Sequence, residues 1–359
     1  MEIKGWLAGL CCFSATALYA QEDKDSLQNK LRINGYLEAY YTYDFQKPSN
    51  HEKAAFIYSN NRSDEVSVNL AMLRATYQSE RVRSQVAFAT GSYMNANYSA
   101  EHGVYKMIYE ANVGYKLSPK SNFWIDAGIM PSHIGPESAI GTDNISLTRS
   151  ISAENSPYFE TGAKLSYQTP NEKWSLAILA LNGWQRIQLP ESSQGLSLGH
   201  QVQYKPSERV LLNSSSYIGN EGLDSLRIFH DFFIQVDATD RLRFLGLFDY
   251  AIQHQSNDDD VANYWTVGLQ ALYKLLENLN INARVEYFND ADAILFGSLA
   301  PKPSEIVGIS SGFDLHLFDG LFWRTEFRYL HSDAEIFKHK ADQYKSANGN
   351  LTTALCWRF

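Results

Sequence analysis

Charged side chains recur two residues apart in this chain: Arg284 and Glu286, then Arg324, Glu326 and Arg328, with Val285 and Phe327 standing between. A spacing of two is the spacing of one face of a β-strand. Groups of both signs along one wet face could line a water-filled path and sort polar solutes by charge. The same parity puts Arg32, Glu38, Lys106, Glu110, Asp126, Glu160, Lys164, Arg243, Asp249 and Asp314 on such faces. If acidic and basic walls stand opposed, a transverse field results that favours polar solutes. The plainer outcome is that most of these charges pair across strands and simply solvate the wall.

Other chemistries find less support. The chain has no phosphate-binding loop, dinucleotide glycine pattern or zinc spacing, and its nine His form no convincing metal pair, so no cofactor is implied. A net charge of -9 is wrong for nucleic acid. A lipid-acting enzyme needs a Ser, a His and an orienting group at the outer rim. The expected register puts no Ser–His pair on adjoining outward positions, and His200 falls on an outward position without an explanation.

The elements that must carry these residues alternate throughout. Leu279, Ile281, Ala283, Val285 and Tyr287 face one way and Asn280, Asn282, Arg284 and Glu286 the other. Sixteen such strands are expected, near 31–43, 66–78, 81–90, 105–116, 122–130, 159–168, 173–182, 196–205, 209–218, 227–237, 241–253, 264–274, 279–289, 306–317, 321–330 and 350–359. A count of 14 or 18 is the alternative. The strand at 66–78 shifts parity near Met72 and Leu73, where a bulge is expected. Most strands run nine to thirteen residues, the length of a tilted crossing of a bilayer, about 9–11 residues. Seven short connections interleave strictly with eight long ones, as short periplasmic turns and long external loops do. The fold expected is all-β: a transmembrane, antiparallel, up-and-down barrel over residues 31–359.

After the N-terminus the longest apolar run is Leu176–Leu181, too short for a membrane helix of about 20 residues. Residues 1–20 read as a signal peptide, with Lys4, an apolar stretch from Trp6 to Tyr19, and Ala20 before the cut. A short periplasmic segment, 21–30, follows and leaves no room for a plug domain. Cleavage removes Cys11 and Cys12 and leaves Cys356 alone, so no intrachain disulfide is expected. The last strand presents Leu351, Leu355, Trp357 and Phe359 on its oily face. A terminal Phe359 looks like the insertion signal read by the outer-membrane barrel-assembly machinery. Outer-membrane lipid and lipopolysaccharide would then surround the wall. The acidic run Asp258–Asp260 reads as a solvated loop tip.

The loop 131–158 is the candidate constriction, since loops this long are usually functional or disordered. His133, Glu137, Asp143, Asn144, Arg149 and Glu154 are the side chains that would narrow the lumen. Around this loop the sequence resembles the β-barrel porin family described as OmpL-like, common among Bacteroidetes-type bacteria. The resemblance rests on Glu110-Ala111, Val113, Tyr115, Gly128, Gly135, Glu137, Asn144, Arg149-Ser150-Ile151 and Gly162 through Tyr167. Ile129 stands where the family has a Lys after the strand-end Gly, so no role of that Lys carries over. The resemblance implies a porin-like channel and no substrate; the wet inward faces point to passage of small polar solutes without enzymatic chemistry, and the homo-trimer common among sixteen-strand porins is the assembly to look for. The alternatives are a binding or structural protein with a plugged lumen and, behind it, the lipid-acting enzyme.

Overall fold

The computed structural model describes residues 30–191, 193, 195–220, 225–254, 261–297, 299, 301–340 and 343–359. The expectations for the leader 1–20, for residues 21–29 and for Asp258–Asp260 lie outside the described residues.

Among the described residues, sixteen strands close into one antiparallel barrel in which each strand pairs with its neighbours in sequence. They are β1 (Leu31–Asp44), β2 (Val66–Gln78), β3 (Val82–Thr90), β4 (Ile108–Lys116), β5 (Asn122–Pro131), β6 (Phe159–Gln168), β7 (Trp174–Leu181), β8 (Ser197–Ser207), β9 (Val210–Asn220), β10 (Leu226–Asp237), β11 (Leu242–His254), β12 (Val261–Leu276), β13 (Leu279–Asn289), β14 (Glu305–Phe318) and β15 (Leu321–Ser332). A small hairpin of β16 (Phe337–His339) and β17 (Gln343–Lys345) follows in the last long loop, and β18 (Ala347–Arg358) closes the barrel on β1. Closure leaves no unpaired edge, which a wall immersed in lipid requires. At the seam Leu37 lies across from Trp357 and Tyr36 from Arg358.

The alternation does what the pleat demands. On β18, Leu351, Leu355 and Trp357 are exposed to the outside while Thr352, Ala354 and Cys356 are buried inside. The parity shift on β2 lies earlier than the sequence suggested. Glu38 pairs with Leu70 and Ala39 with Val68, so Asn69 is the extra residue and Leu70, Met72 and Arg74 turn inward. The strand expected from 105 begins at Ile108, because Gly103–Met107 forms a 3₁₀ turn that takes Lys106 off the wall. Short helices at Ser92–Asn97 and Ile151–Glu154 occupy two long loops that alternation could not resolve.

Gly128 is the position where backbone freedom is indispensable. It has φ +123°, and a Cβ there would meet the Ala111 carbonyl oxygen at 2.1 Å. The strand-end glycine thus lets β5 press on β4 where the third long loop departs.

Candidate functional site: the inner wall and the infolded third loop

The segment 131–158 leaves β5 and enters the barrel. Its peptide groups cannot stay unpaired when buried, and the inner wall supplies the partners. At the near end, His133 is 5% exposed, with Nδ1 2.7 Å from Glu160 and Nε2 2.8 Å from the Ser216 carbonyl. Both ring nitrogens face acceptors, an arrangement that favours the doubly protonated ring. Burial opposes that charge, but the Glu160 carboxylate and its hydrogen bond outweigh burial and raise the His133 pKa above its usual value. The His133 carbonyl accepts from Gln201 Nε2 and Ser215 Oγ, each at 2.8 Å.

At the far end the paired charges of β13–β15 grip the loop backbone. Arg324 donates to the Gly141 carbonyl and, at 3.1 Å, to those of Asn144 and Ile145. Asp314 holds the same guanidinium at 2.5 and 3.0 Å. Arg284 donates to the Thr148 carbonyl at 2.6 Å, and Glu326 accepts from the Thr148 amide at 2.6 Å and from Arg284 at 2.9 Å. Glu286 accepts from the Ile151 amide at 2.7 Å and from Arg328 at 2.6 Å. Ser152 donates to Asp249, and Asp143 pairs with Arg358 at 2.8 Å. Gly141 lies so close to β1 that a Cβ on it would strike the Glu38 carboxylate.

Three loop side chains expected to face a pore instead shape the loop itself. Arg149, fully buried, donates to the Leu147 and Ala139 carbonyls at 2.8 and 2.6 Å. Glu137 accepts from Ser150, and Asn144 bonds the backbone of Ser138 at both ends of its amide. Glu154 joins the first long loop, accepting from the Tyr58 amide at 3.0 Å and the Ser59 amide at 3.1 Å. Burial raises the Glu154 carboxyl to about 7; those amides and Arg149 only partly offset it. Asn60 of the first loop in turn donates to Glu38 at 2.7 Å.

Among the described residues the acidic and basic groups are not sorted onto opposed walls. Arg and Glu interleave along the same strands and pair with their neighbours: Arg324 with Asp314, Arg328 with Glu286, Arg284 with Glu326. Arg243 pairs with Asp237, and Arg32 lies exposed at the start of β1. Glu110 is bound by Arg74 at 2.6 Å and Asp126 by Arg83 at 2.5 Å, two cations beyond those the alternation singled out. Both were legible: beyond the bulge Arg74 alternates with Leu73, Ala75 and Tyr77, and Arg83 alternates with Val82, Val86 and Phe88. Toward the external end the inner wall turns apolar. Tyr217, Phe229, Tyr264 and Phe288 are buried there under Phe56, Phe296 and Phe337 from three long loops.

The outer wall corrects a second expectation. His200 and Ser216 do adjoin on lipid-facing positions, with Nδ1 bonded to the serine hydroxyl, and His230 Nε2 lies 2.9 Å from Ser214 Oγ. The β8–β9 pairing sets His200 directly across from Ser216. Each hydroxyl satisfies a polar ring that lipid would penalise, which accounts for His200. Among the described residues no carboxylate hydrogen-bonds either ring.

The family described as "Putative beta-barrel porin-2, OmpL-like" matches residues 30–359 of this chain. No curated protein matches it. Solved structures do. An anion-selective porin from Comamonas acidovorans is 9% identical, with TM-score 0.58, over 92% of this chain and 99% of that one. In-vitro folded OmpT of Vibrio cholerae in its trimer form is 11% identical, with TM-score 0.57, over 92% and 99%. Salmonella typhi OmpF in complex with daunomycin is 11% identical, with TM-score 0.58, over 92% and 97%. At such identities the likeness is one of fold.

Proposed function

The chain belongs to this OmpL-like family of outer-membrane β-barrel porins, and we propose that it passes small hydrophilic solutes by passive diffusion through a lumen narrowed by loop 131–158. The observation that carries the reading is the grip of the inner wall on that loop: β6, β8, β9, β11, β13 and β15 each contribute a side chain that binds it. A loop so held reduces the cross-section without needing a plug domain. The wall left uncovered is polar and carries both charge signs, which suits hydrated solutes rather than apolar ones. The trimer form of the OmpT neighbour supports a homo-trimer as the assembly. Phe359, on the outward row of the closing strand, is the residue we assign to recognition by the barrel-assembly machinery, with lipid and lipopolysaccharide around the finished wall.

A second reading, a binding or structural protein with a plugged lumen, is favoured by the apolar cluster of Phe56, Phe296 and Phe337 over the external half. Single-channel conductance of the refolded protein across a salt gradient separates the two. Discrete steps that scale with salt are expected for the porin. Folded, inserted protein that gives no steps would sink the open-channel reading in favour of the plug.

A further inference from the structure

The loop does not fill the lumen evenly. Two adjoining cavities of about 330 Å³ each remain along β3, β5, β6 and β8, and Arg83, Lys164 and Gln201 border both. Each is at the lower end of the size range of small-molecule sites, about 300–1,000 Å³. The acidic groups here are already engaged. Arg83 holds both oxygens of Asp126, at 2.6 and 2.5 Å, while its guanidinium lies over the Trp124 ring at 4.4 Å. His133 holds Glu160. Lys164 lies across from Asp126 in the β5–β6 register, yet among the described residues it makes no hydrogen bond or ion pair. With His133 paired to Glu160, two further cations, Arg83 and Lys164, border these cavities against one carboxylate, Asp126. Around them Gln85, Ser166, Gln168 and Ser175 line the same space with side chains that make no hydrogen bond among the described residues.

We propose that this chamber is a binding site for small hydroxylated carboxylates, with Lys164 as the residue that receives the carboxylate. The Lys164 ammonium, with no hydrogen-bond partner among the described residues, offers a charge-assisted hydrogen bond to an entering anion. The unpaired amides and hydroxyls suit the hydroxyl groups of the same solute. Arg83 is a positioning residue: its fork is spent on Asp126, which keeps that carboxylate from capturing Lys164. The site rests on the porin reading for its access from the periplasm.

The test uses gluconate as probe and glucose as its neutral counterpart, at low salt. In planar bilayers gluconate is expected to reduce the potassium chloride current of the wild type, and glucose to do so at least tenfold less effectively. Lys164→Gln should weaken the gluconate effect tenfold or more, Lys164→Arg should retain it, and Arg243→Gln, in the Arg243–Asp237 pair elsewhere on the wall, should leave it unchanged. Binding is measured in parallel on folded protein in detergent by tryptophan fluorescence, with Trp124→Phe identifying the reporting ring. Folding of each variant is checked by its heat-dependent electrophoretic shift. Gluconate binding that Lys164→Gln abolishes, in a protein without conductance, would keep the site and overturn the porin reading. Equal binding of gluconate by wild type and Lys164→Gln, or no preference for gluconate over glucose, overturns the site.

Discussion

On β13–β15, Arg284, Glu286, Arg324, Glu326 and Arg328 are all buried and all engaged, with one another and with the loop backbone. On β3–β6 the Lys164 ammonium, with no hydrogen bond or ion pair among the described residues, stands beside Arg83, whose side chain is 35% exposed. The two arcs use the same residue types at the same spacing of two. They differ in what faces them: one is covered by peptide groups that need partners, while Arg83 and Lys164 of the other border open cavities. Charge on an inward parity therefore identifies the lumen without saying whether a residue anchors a loop or meets a solute.

The largest effect is expected where the first arc is cut. Arg324→Ala leaves Asp314 buried and unpaired and strips three loop carbonyls of their donor. Breaking a buried pair costs about 3–5 kcal/mol, so the loop should detach, and single-channel conductance should rise and become noisy. Arg83→Ala, on the open arc, should leave the loop in place. Equal loop release by both variants, read as proteolytic sensitivity of segment 131–158, would erase the distinction between the arcs.

A smaller effect is expected with pH. Burial pushes the Glu154 carboxyl up to about 7 in the fold, from an ordinary value of 4.5. Its folded state therefore holds a proton that the unfolded chain has released, and its joint with the first loop weakens as pH rises from about 4.5 to about 7. His133 also has a raised pKa. Its contribution is complete below the unfolded value, near 6.5, and fades as pH rises through the folded one. Both shifts loosen the loop in the same direction. Hydrogen exchange at Ser59 and His133 should speed up from pH 5 toward 8 beyond the intrinsic rate, and Glu154→Gln should flatten the Ser59 profile. Exchange that slows as pH rises, after that correction, would contradict this sign.

The smallest effect lies on the lipid side. Ser216→Ala removes the partner of His200 and should cost about 0.5–1.5 kcal/mol in urea unfolding from vesicles. Conductance should stay unchanged, because neither group faces the lumen. A change in conductance would mean that the outer pair acts through the wall.

Much of the barrel was legible because a pleated strand leaves a period of two in the sequence, and each of the sixteen segments carried it far enough to be placed within a few residues. Even the inward Arg83 could have been found this way. Where the period broke, legibility ended. An extra residue at Asn69 reverses parity without any marker in composition, so the bulge was expected later than it lies, near Met72 and Leu73. The Ser–His adjacency on the outer wall was missed for a related reason: pairing across strands depends on register, which alternation within one strand does not encode.

The candidate site divides in the same way. By itself the sequence determined the closed β architecture, the inward charges and the long segment 131–158, because these follow from local alternation and connection length. Only the tertiary structure decided that Arg149 and Glu137 serve the loop, that Arg324 and Glu286 bind its backbone, and that Lys164 remains unpaired. Those outcomes depend on which groups meet across the lumen, 178 residues apart for Thr148 and Glu326. A buried peptide group takes whatever partner closure of the barrel brings to it, and that geometry exists only once the last strand has paired with the first.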